Sequence, residues 1–121
     1  MRFSTTLKLP TYSCELVFVV TDKIKEETSK YYKKYKLTKD DKEDYEVEGI
    51  LITADIDKYI LIIDLKYLTH NTLAHEIYHA TVRVTEDRDI VDEEAQAWLA
   101  GYISGVVYKF IQKKNLEVKH G

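Results

Sequence analysis

The sequence has a single cysteine, Cys14, so no intrachain disulfide can staple the fold and a reducing compartment is expected. One proline and four glycines are too few for long irregular stretches, so most of the chain should be regular structure. Neither sign of charge dominates. Eighteen Lys and Arg against 21 Asp and Glu leave a net charge of -3, which is not the basic surface that displaces counterions from phosphates, so no nucleic-acid partner is expected. Long apolar runs are missing too. The N-terminal stretch MRFSTTLKLPTYSCELVFVV is interrupted by Ser13 and Glu15 and is followed by no small-residue cleavage site. Neither a signal peptide nor a membrane span is therefore expected, and the expected setting is the cytoplasm or a particle assembled in it.

What is present is an apolar fraction of 45% in 121 residues, enough for one domain, residues 1–121, with a core of its own. In YSCELVFVV, Tyr12, Cys14, Leu16, Phe18 and Val20 fall on one face, as in a core strand. Thr21 or Asp22 can cap a following helix, KIKEETSKYYKKYKL, whose apolar stripe is thin: Ile24, Thr28, Tyr31, Tyr32 and Tyr35. The charged segment TKDDKEDYEVEG reads as an exposed connection. ILITADIDKYILIIDL then reads as two strands around a polar turn from Ala54 to Lys58. Thr69 or Asn71 can cap a helix running to about Val84. Asp92 can cap a long last helix in which Trp98, Leu99, Tyr102, Ile103, Val106, Phe110 and Ile111 recur at helical spacing. This order predicts a small α+β domain, with a short three-stranded sheet packed on two long helices.

The sixth of these segments carries chemistry. In NTLAHEIYHATV, His75, Glu76 and His79 form His-Glu-x-x-His. Residues four apart lie one turn above each other, so both imidazoles can meet one ion. Glu76 is rotated by about 100 degrees from His75, beside the ion and not on it, where it can take a proton from a metal-bound water. The alternative is a helix whose two histidines have structural roles only. Leu73, Ala74, Ile77, Tyr78, Ala80 and Val82 predict substantial burial, however, and buried imidazoles and carboxylates are costly without partners. Glu76-x-x-His79 is also half of a di-iron carboxylate motif, but no second Glu-x-x-His occurs and the strands do not suit a four-helix bundle.

A catalytic zinc needs a third protein ligand. Candidates downstream are Glu86, Asp87, Asp89, Asp92, Glu93 and Glu94. The acids of TEDRD follow His79 too soon for the chain to turn back, whereas Glu93 and Glu94 open a second helix that can cross beside the first. Glu94 lies one turn before Trp98, bordering the face expected to look at the core. Glu93 shares a face with the small residues Ala97, Ala100, Gly101 and Ser104, which a close neighbour helix could approach. The face argument favours Glu94 over Glu93.

At these residues the chain resembles the zincin metallopeptidases, and within them the gluzincins, whose third zinc ligand is a Glu on a later helix. HEIYHATV followed by DEEAQAWLAGYI is also similar to small phage and prophage metallopeptidase-like proteins, in which a Glu-x-x-Ala-aromatic-Leu-x-Gly helix follows the motif. Here that helix is Glu94, Ala97, Trp98, Leu99 and Gly101, and the likeness covers Leu73 to about Ile103. The resemblance implies a minimal zincin-like domain binding one Zn2+ through His75, His79 and Glu94, with Glu76 as general base. It implies a peptide or protein substrate laid as an added strand along a sheet edge, supplied by Ile50–Ala54 or by Tyr59–Asp64. It also implies a virion or host-cytoplasm setting if the chain is phage-encoded. These 121 residues are fewer than in typical gluzincins and carry no recognisable C-terminal lobe, so half of the usual cleft is expected to be missing. A protein partner completing the cleft, or a non-enzymatic zinc-stabilised interaction or phage structural module, is the alternative expectation.

Three further features have plain explanations. Zincins often stabilise the oxyanion with a Tyr or His, for which Tyr78, Tyr102, Tyr108, His70 and His120 are candidates. Each of these is as readily packing or surface. KYYKKYK reads as a solvated helix face whose tyrosine rings cover the sheet. Cys14 reads as a core residue and not as a thiolate placed over the metal.

Overall fold

A computed structural model describes residues 1–38 and 47–121. Most of the charged connection read from TKDDKEDYEVEG lies outside the described residues. Four strands, β1 (Arg2–Leu9), β2 (Cys14–Thr21), β3 (Gly49–Asp55) and β4 (Lys58–Asp64), form one mixed sheet in the order β1-β2-β4-β3. Three α-helices, α1 (Ile24–Lys34), α2 (His70–Glu86) and α3 (Glu93–Lys113), cover it. The architecture is α+β, as expected, but the sheet has four strands and not three.

The additional strand is β1, which pairs antiparallel with β2 from Arg2↔Thr21 to Leu9↔Cys14. In RFSTTLKL the apolar residues Phe3, Leu7 and Leu9 fall on alternate positions, and both Leu7 and Leu9 are buried. A half-polar alternation of this kind is an edge strand with one wet face. β2 and β4 pair in parallel at the centre of the sheet, Phe18 opposite Leu61, and β3 pairs antiparallel with β4, Leu51 opposite Leu61. β4 is therefore interior and read on both sides by neighbours. Of the two segments expected to offer an edge, Tyr59–Asp64 cannot, and Ile50–Ala54 lies in an edge strand.

Strand alternation divides the core in two. Leu16, Phe18, Val20, Tyr59, Leu61 and Ile63 face α2 and α3, which contribute Leu73, Ile77, Ala80, Val84, Leu99, Ile103, Val107 and Ile111. Val19, Ile52, Ile60 and Ile62 face α1, with Ile24 and Tyr31. Each fully buried Leu, Ile or Phe contributes about 1.5–3 kcal/mol, so the two-helix side carries most of the apolar stabilisation. Cys14 belongs to that side, and burial pushes its thiol pKa up, as for an inert core cysteine.

The caps of the two long helices are those expected. Thr69 accepts from the Thr72 amide at 3.0 Å and Asp92 accepts from the Glu94 amide at 3.1 Å. α1 differs, because Lys23 occupies its cap position without a side-chain bond, and Thr21 instead ends β2 and accepts from the Lys23 amide. α2 runs one turn-fraction past Val84, to Glu86, because Arg88 anchors its end. The Arg88 guanidinium donates to the carbonyls of Tyr12 (2.6 Å), Ile56 (2.6 Å) and Val84 (3.1 Å) and to the Tyr59 hydroxyl (2.8 Å). Tyr59 in turn donates to Asp87 at 2.6 Å, and burial, then that bond, push its pKa up to about 12. One cation thus ties the end of α2 to the β1–β2 connection and the β3–β4 turn. No helix among the described residues is long and apolar enough to cross a membrane.

Removing this clamp leaves three carbonyls and a buried hydroxyl without their donor. Arg88→Leu should lower stability by about 2–4 kcal/mol in urea unfolding, since bonds to a charged donor are worth about 1.5–3 kcal/mol each and several are shared. Arg88→Lys should recover less than half of the loss, because an ammonium cannot reproduce the planar fork. A loss below about 0.5 kcal/mol for Arg88→Leu would rule out the clamp.

Candidate functional site

α2 buries Thr72, Leu73, Glu76, Ile77, Ala80, Thr81, Val84 and Thr85, a broad stripe that fixes its rotation about its own axis. His75 and His79 fall just off that stripe, on the exposed side of the helix. The expectation that the histidines are buried fails for this reason, although the helix itself is largely buried. Their Nε2 atoms are 3.1 Å apart, with ring centroids at 4.6 Å and planes at 79°. Two imidazole nitrogens bound tetrahedrally to one zinc at about 2.05 Å would be about 3.3 Å apart, so the pair is already spaced as one edge of such a site.

Glu76 is 8% exposed, and its Oε1 lies 3.8 Å from His75 Nε2. It stands beside the pair, as the helical rotation predicted. Burial pushes its carboxyl above the ordinary value, His75 and His79 pull it back, and the nearby Glu48 adds to the rise. The floor beneath it is backbone. A Cβ placed on Gly49, the first residue of β3, would be 2.8 Å from Glu76 Cγ and 3.0 Å from Ile63 Cδ1. Only a residue without a side chain lets β3 and Glu76 approach so closely.

Glu48 and Gly49 were not singled out in the sequence, although the glycine opening an apolar run is a visible signal of close backbone approach. Glu48 accepts a hydrogen bond from Thr72 Oγ1 at 3.1 Å, and Thr69 Oγ1 lies 3.1 Å from Thr72 Oγ1. The cap of α2 thereby joins the start of β3.

Glu93 and Glu94 occupy the first turn of α3, and both are exposed. Among the described residues, no group of three His, Cys, Asp or Glu side chains is gathered that could hold a metal ion, so His75 and His79 stand as a pair. The face argument for Glu94 also loses its premise. Trp98 is 74% and Tyr102 51% exposed, and the core stripe of α3 is Leu99, Ile103, Val107 and Ile111. Glu94 borders an open groove lined by Ala97, Trp98, Gly101 and Tyr102.

The proposed oxyanion partners separate. His70 Nδ1 lies 2.9 Å from the Tyr108 hydroxyl, and the His70 and His120 rings are 6.0 Å apart, so these three form their own cluster at the start of α2. The Tyr102 hydroxyl approaches the Lys8 carbonyl of β1 at 3.5 Å. Tyr78 is 65% exposed, and its ring, 6.4 Å from that of His79, is the candidate nearest the histidine pair. Comparisons with protein-family models, curated proteins and solved structures give no match.

Two outcomes follow from the packing of Glu76. Its folded-state pKa lies above the ordinary 4.5, so the folded chain holds this proton more tightly than the unfolded chain. The associated stability is complete below about pH 4.5 and is lost as pH rises through the folded value. In chelator, Glu76→Gln should therefore be more stable than wild type at pH 7 by about 1 kcal/mol, and the gap should close toward pH 4. Equal urea midpoints at both pH values would refute this. Gly49→Ala should cost about 1–3 kcal/mol through the forced contact, and the loss should shrink when Glu76→Ala removes the contacted carbon. Additive losses in that double-mutant cycle would exclude the contact.

Proposed function

We propose that the chain is a zinc-dependent metallopeptidase with a minimal zincin-like domain. The observation that carries this reading is the convergence of His75 and His79 Nε2 at 3.1 Å with the Glu76 carboxylate beside them. Two imidazole nitrogens at ligand-edge spacing fit a zinc ion, with a carboxylate of the first turn of α3 as third donor. By resemblance that donor is Glu94, and by its share in the small-residue face it is Glu93. Bound there, zinc would supply Lewis acidity to a scissile carbonyl and acidify a water.

Glu76 accepts the proton of the attacking water and returns it to the leaving amine. A carboxyl whose pKa is raised by burial is a stronger base than an ordinary glutamate, which suits it to take that proton. A peptide substrate would lie as an added strand along the outer edge of β3, the strand whose first residue touches Glu76. A cytoplasmic setting, or a virion or host-cytoplasm setting for a phage-encoded chain, accompanies this reading. A second reading, a zinc-stabilised interaction module without turnover, is favoured by the exposure of His75, 65% at its side chain.

Protein purified without added metal should contain about one equivalent of zinc, and His75→Ala or His79→Ala should remove it. Less than about a tenth of an equivalent of transition metal in wild type would overturn the zinc reading. Glu76→Gln should keep the metal and lower peptide hydrolysis by about 10²–10⁴-fold. Unchanged function in that variant selects the module. Comparing zinc affinity in Glu93→Gln and Glu94→Gln identifies the third donor.

A further inference from the structure

The α2 side of β3 carries opposite charges near its two ends. At the start of the strand, Glu48 is oriented by Thr72 of α2. Toward the far end, the Arg83 guanidinium of α2 donates to Thr53 Oγ1 at 3.3 Å. Among the described residues neither Glu48 nor Arg83 has an ion-pair partner, and nothing pairs with the outer side of β3. α2 runs alongside β3 in the same direction, since Thr72 meets Glu48, Glu76 meets Gly49 and Arg83 meets Thr53.

The two elements agree on the separation. Thr72 to Arg83 is about 16 Å of helix at about 1.5 Å per residue. Glu48 to Thr53 is about 16 Å of strand at about 3.3 Å per residue. An added strand covers that distance in about five residues, and two side chains four apart, about 13 Å along the strand, point to the same face and can reach out to both charges. His75, Glu76 and His79 fall between the two charges along α2.

Resting on the metallopeptidase reading, we propose that the chain selects substrates of mixed charge, with an acidic residue bound toward Arg83 and a basic residue four positions on bound toward Glu48. Antiparallel pairing, the more stable mode, places the peptide's C-terminal side at the start of β3. The favoured order from N- to C-terminus is therefore Glu-x-x-x-Lys. Both charges are at the rim, so their effect is one of selectivity and is screened by salt.

The test uses the zinc-loaded full chain and three otherwise identical peptides containing Glu-x-x-x-Lys, Gln-x-x-x-Gln or Lys-x-x-x-Glu. In about 50 mM salt, kcat/KM for the first should exceed that for the second by about three- to tenfold, as two exposed ion pairs allow, and the third should be poorest. The order should collapse in about 0.5 M salt. Glu48→Lys with Arg83→Glu should invert it, and binding of the same peptides to the Glu76→Gln protein should follow the same order without turnover. Hydrolysis that ignores charge, or that favours Lys-x-x-x-Glu in wild type, overturns the inference and leaves the peptidase reading intact. Hydrolysis of none of the peptides, nor of a wider peptide library, by zinc-loaded protein overturns both.

Discussion

The approach of Gly49 to Glu76 is the constraint on which the site depends. A carboxylate at 8% exposure has given up most of its water, and there is room for it there because the strand beside it begins with a residue that has no side chain. Any Cβ at that point would push either β3 or the glutamate away. The same approach sets how closely the Glu76 side chain of α2 packs on the start of β3.

The rest of the fold keeps that contact in place. At its start α2 is capped by Thr69, and Thr72 reaches across to Glu48. At its end Arg88 gathers carbonyls from Tyr12, Ile56 and Val84. Between these anchors, Leu73, Ile77, Ala80 and Val84 are packed into the larger of the two cores. A helix held at both ends and along one stripe has little freedom to rotate. Its two histidines, one turn apart, meet at 3.1 Å. α1 on the other face completes the burial of β4 and takes no part in the site.

Much of this was legible in the residues. The alternation from Cys14 to Val20, the turn between Ala54 and Lys58, and the caps Thr69 and Asp92 each have a local cause, and each lies where local chemistry places it. β1 carries a weak signal, since only Phe3, Leu7 and Leu9 are apolar and Thr5 interrupts their face; pairing with β2 makes it a strand. Trp98 and Tyr102 were expected in the core, since helical spacing alone assigns every aromatic to the apolar stripe. The core side of α3 is filled by Leu99, Ile103, Val107 and Ile111, which leaves the two larger rings outside. The face argument for Glu94 over Glu93 rests on that same expectation for Trp98.

By itself the sequence determined three of the four strands, the three α-helices, and the helix that carries His75, Glu76 and His79. These follow from periodicity and capping, which act over a few residues. Only the tertiary structure decided that β4 is interior and β3 an edge, that Glu48 and Gly49 adjoin Glu76, and that Arg83 stands at the far end of the same strand. The physical reason is that strand order and close backbone approach are set by contacts between residues more than 20 positions apart, which leave no periodic trace along the chain.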